Sequence, residues 1–136
     1  MNDIDEKKIY RIIDVNYNRA KEGLRTVEEY FRFYDENCDL MKDIRRLRHE
    51  LDLCVKDHYF KMLESRNIKE DEGRLLPEDD RPGLNDLLIS NCKRVQEALR
   101  VIEEYSKVLQ KDVSKKFKDI RFRMYELEQR IIMEGE

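Results

Sequence analysis

The sixteen residues NYNRAKEGLRTVEEYF at positions 16–31 return as NCKRVQEALRVIEEYS at positions 91–106. Both copies read N-x-x-R-x-x-E-x-L-R-x-[VI]-E-E-Y, at a shift of 75 residues from Asn16 to Asn91. Within each copy the apolar residues recur at spacings of three and four, the period of one helix face. A second match follows one residue further on: DIRRLRHEL at 43–51 against DIRFRMYEL at 119–127, a shift of 76. The chain therefore reads as two helical hairpins in tandem. Neither hairpin buries its apolar stripe alone, so the two pack together. The expected fold is all-α, an antiparallel four-helix bundle with pseudo-two-fold symmetry. Its 136 residues form one domain: hairpin one over about 5–65, a loop over 66–84 and hairpin two over about 85–134.

Periodicity sets the expected faces. In the first helix, from about Asp5 to Tyr34, Ile12, Ile13, Asn16, Ala20, Gly23, Leu24, Val27, Tyr30, Phe31 and Tyr34 point inward. Asp35-Glu36-Asn37 makes a tight turn, and Asp39 is the expected cap of the second helix. That helix runs to about Ser65 with Leu40, Ile44, Leu47, Leu51, Val55, His58 and Met62 inward. The stretch SRNIKEDEGRLLPEDDRPG has no period and is rich in turn residues, so it is a long loop of the kind that carries function or mobility. The third helix, about Asn85 to Gln110, turns Leu87, Leu88, Asn91, Val95, Ala98, Leu99, Ile102 and Tyr105 inward. The fourth, about Asp112 to Met133, buries Val113, Phe117, Ile120, Met124, Leu127 and Ile131. Gly23 and Ala98 are equivalent and small, marking a close approach of the first and third helices.

Several functions are excluded. Charged residues make up 43% of the chain with signs interspersed and a net charge of −3, so neither a nucleic-acid interface nor a membrane-binding face is expected. No apolar run is long enough to span a bilayer, and the acidic opening MNDIDEKK lacks the features of a signal peptide, so the expected compartment is the cytoplasm. Cys38, Cys54 and Cys92 have no CxxC spacing and read as small buried hydrophobes. Neither His49 nor His58 follows a Glu by three residues, which removes a carboxylate-bridged di-iron site; His58 reads as a hydrogen-bonded core residue. P-loop and Rossmann glycine patterns are absent.

What remains is polar chemistry on apolar faces. Asn16 and Asn91 each need a partner, because an unpaired buried amide costs about 1–3 kcal/mol. With Arg19 and Arg94 they form either a network that fixes helix register or a binding cleft at the pseudo-two-fold with guanidinium forks for phosphate, Arg48 standing at its rim. Arg25 and Arg100, each with Glu at i−3, i+3 and i+4, read as salt-bridged surface. Glu28, Glu29, Glu103 and Glu104 are either a solvated face or carboxylates for Mg²⁺.

The segments RIIDVNYNRAKEGLRTVEEYFRF, IRRLRHEL and NCKRVQEALRVIEEYSK together resemble a family of small helical domains of thiamine biosynthesis. These domains occur alone or fused ahead of thiamine-phosphate synthase and are regarded as a hydroxymethylpyrimidine-phosphate kinase unrelated to the ribokinase-like enzyme. The resemblance runs from about Arg11 to Leu127. In the central loop Ser65, Arg66, Asp71 and Gly73 match the family, whereas Asn67 and Glu72 depart from it and its threonines are missing. The resemblance implies transfer of phosphate from ATP, with Mg²⁺, to 4-amino-5-hydroxymethyl-2-methylpyrimidine phosphate. On that reading Arg19, Arg94, Arg48 and Asp71 are the candidate catalytic residues. Asn16, Asn91, Arg66, Glu22 and Glu97 bind substrate, and Glu28 and Glu103 hold metal. The alternative is a non-catalytic helical domain that binds the pyrimidine or partners a thiamine-phosphate synthase. Exposed Phe122 leaves room for a homodimer.

Overall fold

A computed structural model of the chain describes residues 1–109 and 111–134. Among these residues lie five α-helices: α1 (Asp3–Glu29), α2 (Cys38–Val55), the short α3 (Tyr59–Glu64), α4 (Leu84–Leu109) and α5 (Lys111–Glu134). The expected end of the third helix at Gln110 lies outside the described residues.

Local chemistry sets each boundary. The Asn2 side chain accepts a hydrogen bond from the Asp5 amide at 2.9 Å, and Asp3, Asp5 and Glu6 place negative charge at the positive end of the α1 dipole. At its other end α1 widens into a single π turn, Tyr30–Tyr34, which buries Phe31. That widening breaks the 100° period. Tyr34, expected inward, is exposed and stacks on half-buried Tyr30 at 5.1 Å between ring centroids. The chain then reverses through Glu36, whose φ of 54° lies in the left-handed region. Asn37, not Asp39, caps α2: its Oδ1 accepts from the Leu40 amide at 3.2 Å, and Asp39 sits in the first turn instead.

The second helix is also broken. A 3₁₀ turn at Lys56–His58 separates α2 from α3, and the chain re-enters the core at Met62. His58, half-buried, shares a 2.9 Å hydrogen bond between its Nδ1 and the Tyr10 hydroxyl. In α4, Tyr105 is exposed while Ser106 and Glu103 are buried, so the inward face lies one position from the expected one at this end.

The four long helices close a ring in the order α1, α2, α5, α4, and α3 packs on α1. Neighbours run antiparallel: Arg130 of α5 meets Asp43 of α2 at 2.7 Å, and Arg123 meets Glu50 two turns away. Leu24, Val27, Ile44, Leu47, Leu51, Leu99, Ile102, Phe117 and Met124 fill the interior. The α1–α4 contact is tightest at Gly23, where a Cβ would lie 2.7 Å from Val95 Cγ2 and 3.2 Å from the Asn91 carbonyl oxygen. A Cβ there would force Val95 or the facing backbone to shift, in keeping with the small-residue pair in the sequence.

The duplicated E-E-Y phrase serves this architecture. Glu28 is buried and accepts from Arg48 Nε at 3.1 Å and Nη2 at 3.4 Å; Glu103 is buried and accepts from Arg121 Nε at 2.8 Å. On the rim, Arg25 pairs with Glu28 and Glu29 just as Arg100 pairs with Glu103 and Glu104. Each hairpin is thus clasped by a buried carboxylate on its first helix and a buried guanidinium on its second. The clasp corrects the alignment of the second helices. Arg121 lies 73 residues beyond Arg48, not 76, since 18 residues separate Glu103 from Arg121 where 20 separate Glu28 from Arg48. Of the cysteines, Cys92 is buried, Cys54 half-buried and Cys38 exposed, so the burial expected of all three holds fully only for Cys92.

Candidate functional site

Arg11, Asp14, Asn18, Arg19 and Glu22 cluster at helical spacing along one side of α1. Facing them, the chain leaving α3 lays down Arg66, Asn67, Ile68 and Asp71, the last three around a 3₁₀ turn at Ile68–Glu70. Between the two walls lies a cleft of about 370 Å³.

The loop root is held to the helix. Asp14, only 3% exposed, accepts from Arg66 Nε at 2.7 Å and Nη2 at 3.1 Å. This charge-assisted pair strengthens proton binding by Arg66, against a smaller opposing effect of burial. Asn18 Nδ2 donates to the Asp14 carbonyl at 2.9 Å and to its Oδ1 at 3.3 Å. Arg11 Nη2 donates to the Asn67 carbonyl at 3.0 Å, and Asp71 Oδ1 accepts from the Gly73 amide at 3.1 Å. Arg11, Arg19 and Arg66 therefore border one hollow whose wall is fixed by hydrogen bonds, which suits a phosphate-bearing ligand.

The cleft breaks the internal symmetry. Seventy-five residues beyond Arg11, Asp14 and Asn18 stand Asp86, Ile89 and Lys93; only Arg19 and Glu22 have like counterparts, in Arg94 and Glu97. The cleft thus adds the unduplicated Arg11, Asp14, Asn18 and Arg66 to the duplicated Arg19 and Glu22.

Of the residues singled out from the sequence, Arg19, Glu22, Arg66 and Asp71 meet in the cleft. Asn16 and Asn91 do not line it. Each donates its amide to the carbonyl four residues back in its own helix, Asn16 to Ile12 at 2.9 Å and Asn91 to Leu87 at 2.8 Å. Arg94 reaches across from α4 to Glu22 at 3.6 Å, and Glu97 is exposed outside the cleft. Arg48 is buried in its clasp with Glu28. It edges a second hollow, about 480 Å³, shared with Asn18, Lys21, Glu22, Arg25 and Thr26. Glu28 and Glu103 spend their carboxylates on arginine, and no group of three or more metal-ligating side chains gathers among the described residues. The sequence reading missed Arg11, Asp14 and Asn18. The available signal was the mismatch of Asp14 with Ile89 between otherwise parallel halves.

Among the described residues no helix is long and apolar enough to cross a membrane. Residues 11–130 match the ThiD2 family. The chain is 39% identical over 130 residues to a thiamine-phosphate synthase of Nostoc punctiforme, covering 93% of this chain and 36% of that protein. It is 41% identical over 130 residues to the thiamine-phosphate synthase of Thermosynechococcus vestitus, again covering 93% and 36%. Against the thiamine-phosphate synthase of Synechocystis sp. it is 42% identical over 123 residues, covering 88% and 35%. The chain thus spans about a third of the length of these curated relatives. No solved structure matches it significantly.

Proposed function

The chain belongs to the ThiD2 family, and on that premise we propose that it phosphorylates 4-amino-5-hydroxymethyl-2-methylpyrimidine phosphate to the diphosphate with ATP, a step of thiamine biosynthesis. One observation carries the reading. Three guanidinium groups, of Arg11, Arg19 and Arg66, border a single cleft between α1 and the chain leaving α3.

In this transfer an oxygen of the substrate's phosphate attacks the γ-phosphorus of ATP, and ADP leaves with the electron pair of the broken P–O bond. Such reactions depend mainly on alignment and on neutralising phosphate charge. Arg66 and Arg11 sit on opposite walls and hold the acceptor phosphate between them, while Arg19 faces the incoming γ-phosphate. The side-chain oxygen of Asn18, the asparagine of α1 that borders the cleft, takes a hydrogen bond from the pyrimidine amino group. Asp71 and Glu22 are the cleft carboxylates that fit Mg²⁺ arriving on the triphosphate, since that ion commonly takes only one or two protein carboxylates. Its contribution there is neutralisation of the phosphate oxygens.

A second reading has the domain acting as a non-catalytic partner of a separate thiamine-phosphate synthase. That the relatives it matches bear the name thiamine-phosphate synthase favours it. ADP release in a coupled assay, with and without the pyrimidine phosphate, separates the two. Release that requires the pyrimidine phosphate supports the kinase. No release, with co-elution of a synthase, supports the partner.

A further inference from the structure

Arg66 meets Asp14 side-on. Its Nε and one Nη2 proton are taken by the two carboxylate oxygens at 2.7 and 3.1 Å. A guanidinium has five N–H donors in a rigid fork, so the end formed by Nη1 and the second Nη2 proton is left unused by this pair. The Arg66 side chain is 37% exposed and borders the cleft, while the Asp14 side chain is 4% exposed. A buried carboxylate is costly unless it is paired. The scaffold does not need one here, because the equivalent position in the second half is Ile89.

We propose that Asp14 is a positioning residue: it clamps the Nε edge of Arg66 so that the Nη1/Nη2 end forms a two-pronged seat for a phosphate group in the cleft. The proposal rests on the phosphate-site reading of the cleft but not on phosphoryl transfer. Asn18 locks the carboxylate by bonding its Oδ1, and Arg11 fixes the adjoining loop backbone through the Asn67 carbonyl. The seat is thereby prearranged, so ligand binding does not have to order a long side chain on a loop. Without Asp14, Arg66 keeps its charge and loses its aim.

The test uses inorganic phosphate as probe, followed by ³¹P line broadening, on the full chain and on Asp14→Ile, Asp14→Asn and Arg66→Lys. Asp14→Ile borrows the residue the repeat already tolerates, so its thermal melt is expected to match or exceed wild type. Wild type binds phosphate. Asp14→Ile and Arg66→Lys bind at least about tenfold more weakly, the size of one charge-assisted fork. Asp14→Asn, which keeps one acceptor oxygen, falls between. With the pyrimidine phosphate as substrate, Asp14→Ile raises its KM and leaves the KM for ATP unchanged, a split that general loosening of the fold does not produce. Equal phosphate affinity in wild type and a folded Asp14→Ile overturns the proposal, as does a wild type that binds no phosphate. Phosphate binding that behaves as expected in a protein that forms no diphosphate leaves the seat intact and removes the kinase.

Discussion

Replacing Arg48 with Met strands Glu28, a carboxylate that is 1% exposed and takes two hydrogen bonds from Arg48. Breaking a buried pair by removing one partner costs about 3–5 kcal/mol. Here Arg25 stands 3.8 Å from Glu28 and relieves part of that, although its own side chain is 51% exposed. The expected loss is therefore about 2–4 kcal/mol. At about 4 °C per kcal/mol for a domain of this size, the melting temperature falls by roughly 8–16 °C. Replacing both partners, Glu28→Leu with Arg48→Met, removes the charge and its mate together and should return stability to within about 1 kcal/mol of wild type. Urea melts on the two single variants and the double close a thermodynamic cycle whose coupling energy is the clasp. Arg121→Met, in the matching clasp, should lose a similar amount through Glu103. If Arg48→Met melts within about 2 °C of wild type, or if the single effects add in the double variant, the duplicated E-E phrase is not a clasp. Loss of activity at constant stability in Glu28→Gln would return Glu28 to the candidate metal holders.

Three further outcomes follow from the packing and the titrating groups. Gly23→Ala should lower the melting temperature by a few degrees, because overpacking against Val95 and the Asn91 backbone costs about 1–3 kcal/mol, against at most about 1 kcal/mol gained in helix propensity; a rise contradicts the close approach. In the native protein Ellman's reagent at about pH 8 should titrate exposed Cys38 first and Cys92 last, since burial pushes the Cys92 thiol up to about 12 and starves it of thiolate; equal rates at all three sites contradict this. Burial, with Asp52 beside it, also pushes the Tyr17 hydroxyl upward. Both folded groups hold their protons more tightly than in the unfolded chain, so their contribution is complete below the ordinary cysteine range and is lost as pH rises through about 9 and above. Melting temperature should drop across that alkaline range, less steeply in Cys92→Ala.

The bundle was legible because its cause is written twice. An apolar stripe at helical period, repeated 75 residues on, admits few folds besides paired hairpins. The errors fall where local chemistry overrides that period. The π turn at Tyr30–Tyr34 rotates Tyr34 outward, and Asn37 outcompetes Asp39 for the cap. The 3₁₀ turn at Lys56–His58 splits one expected helix into α2 and α3. None of these is encoded by periodicity. The site was half legible. Arg19, Glu22, Arg66 and Asp71 meet as a group, but repetition drew attention to Asn16 and Asn91, whose amides bond their own helices. Of the repeated residues, Glu28 and Glu103 serve the scaffold, whereas Arg19 and Glu22 border the cleft. Asp14 was hidden because a single carboxylate beside an apolar face gives no sign of its partner 52 residues away.

On the proposed reading the chemistry belongs to the cleft around Arg11, Arg19 and Arg66, and not to the buried carboxylate–guanidinium clasps or to Asn16 and Asn91. Product formation tests it most directly: ATP, Mg²⁺ and the pyrimidine phosphate, with the diphosphate read by ³¹P spectroscopy, for wild type, Arg66→Ala and Arg100→Ala. Diphosphate is expected from wild type, little or none from Arg66→Ala, and near-wild-type formation from Arg100→Ala, whose side chain is 54% exposed and tied only to its own helix. Equal activity in Arg66→Ala and wild type, or an inactive wild type, contradicts it.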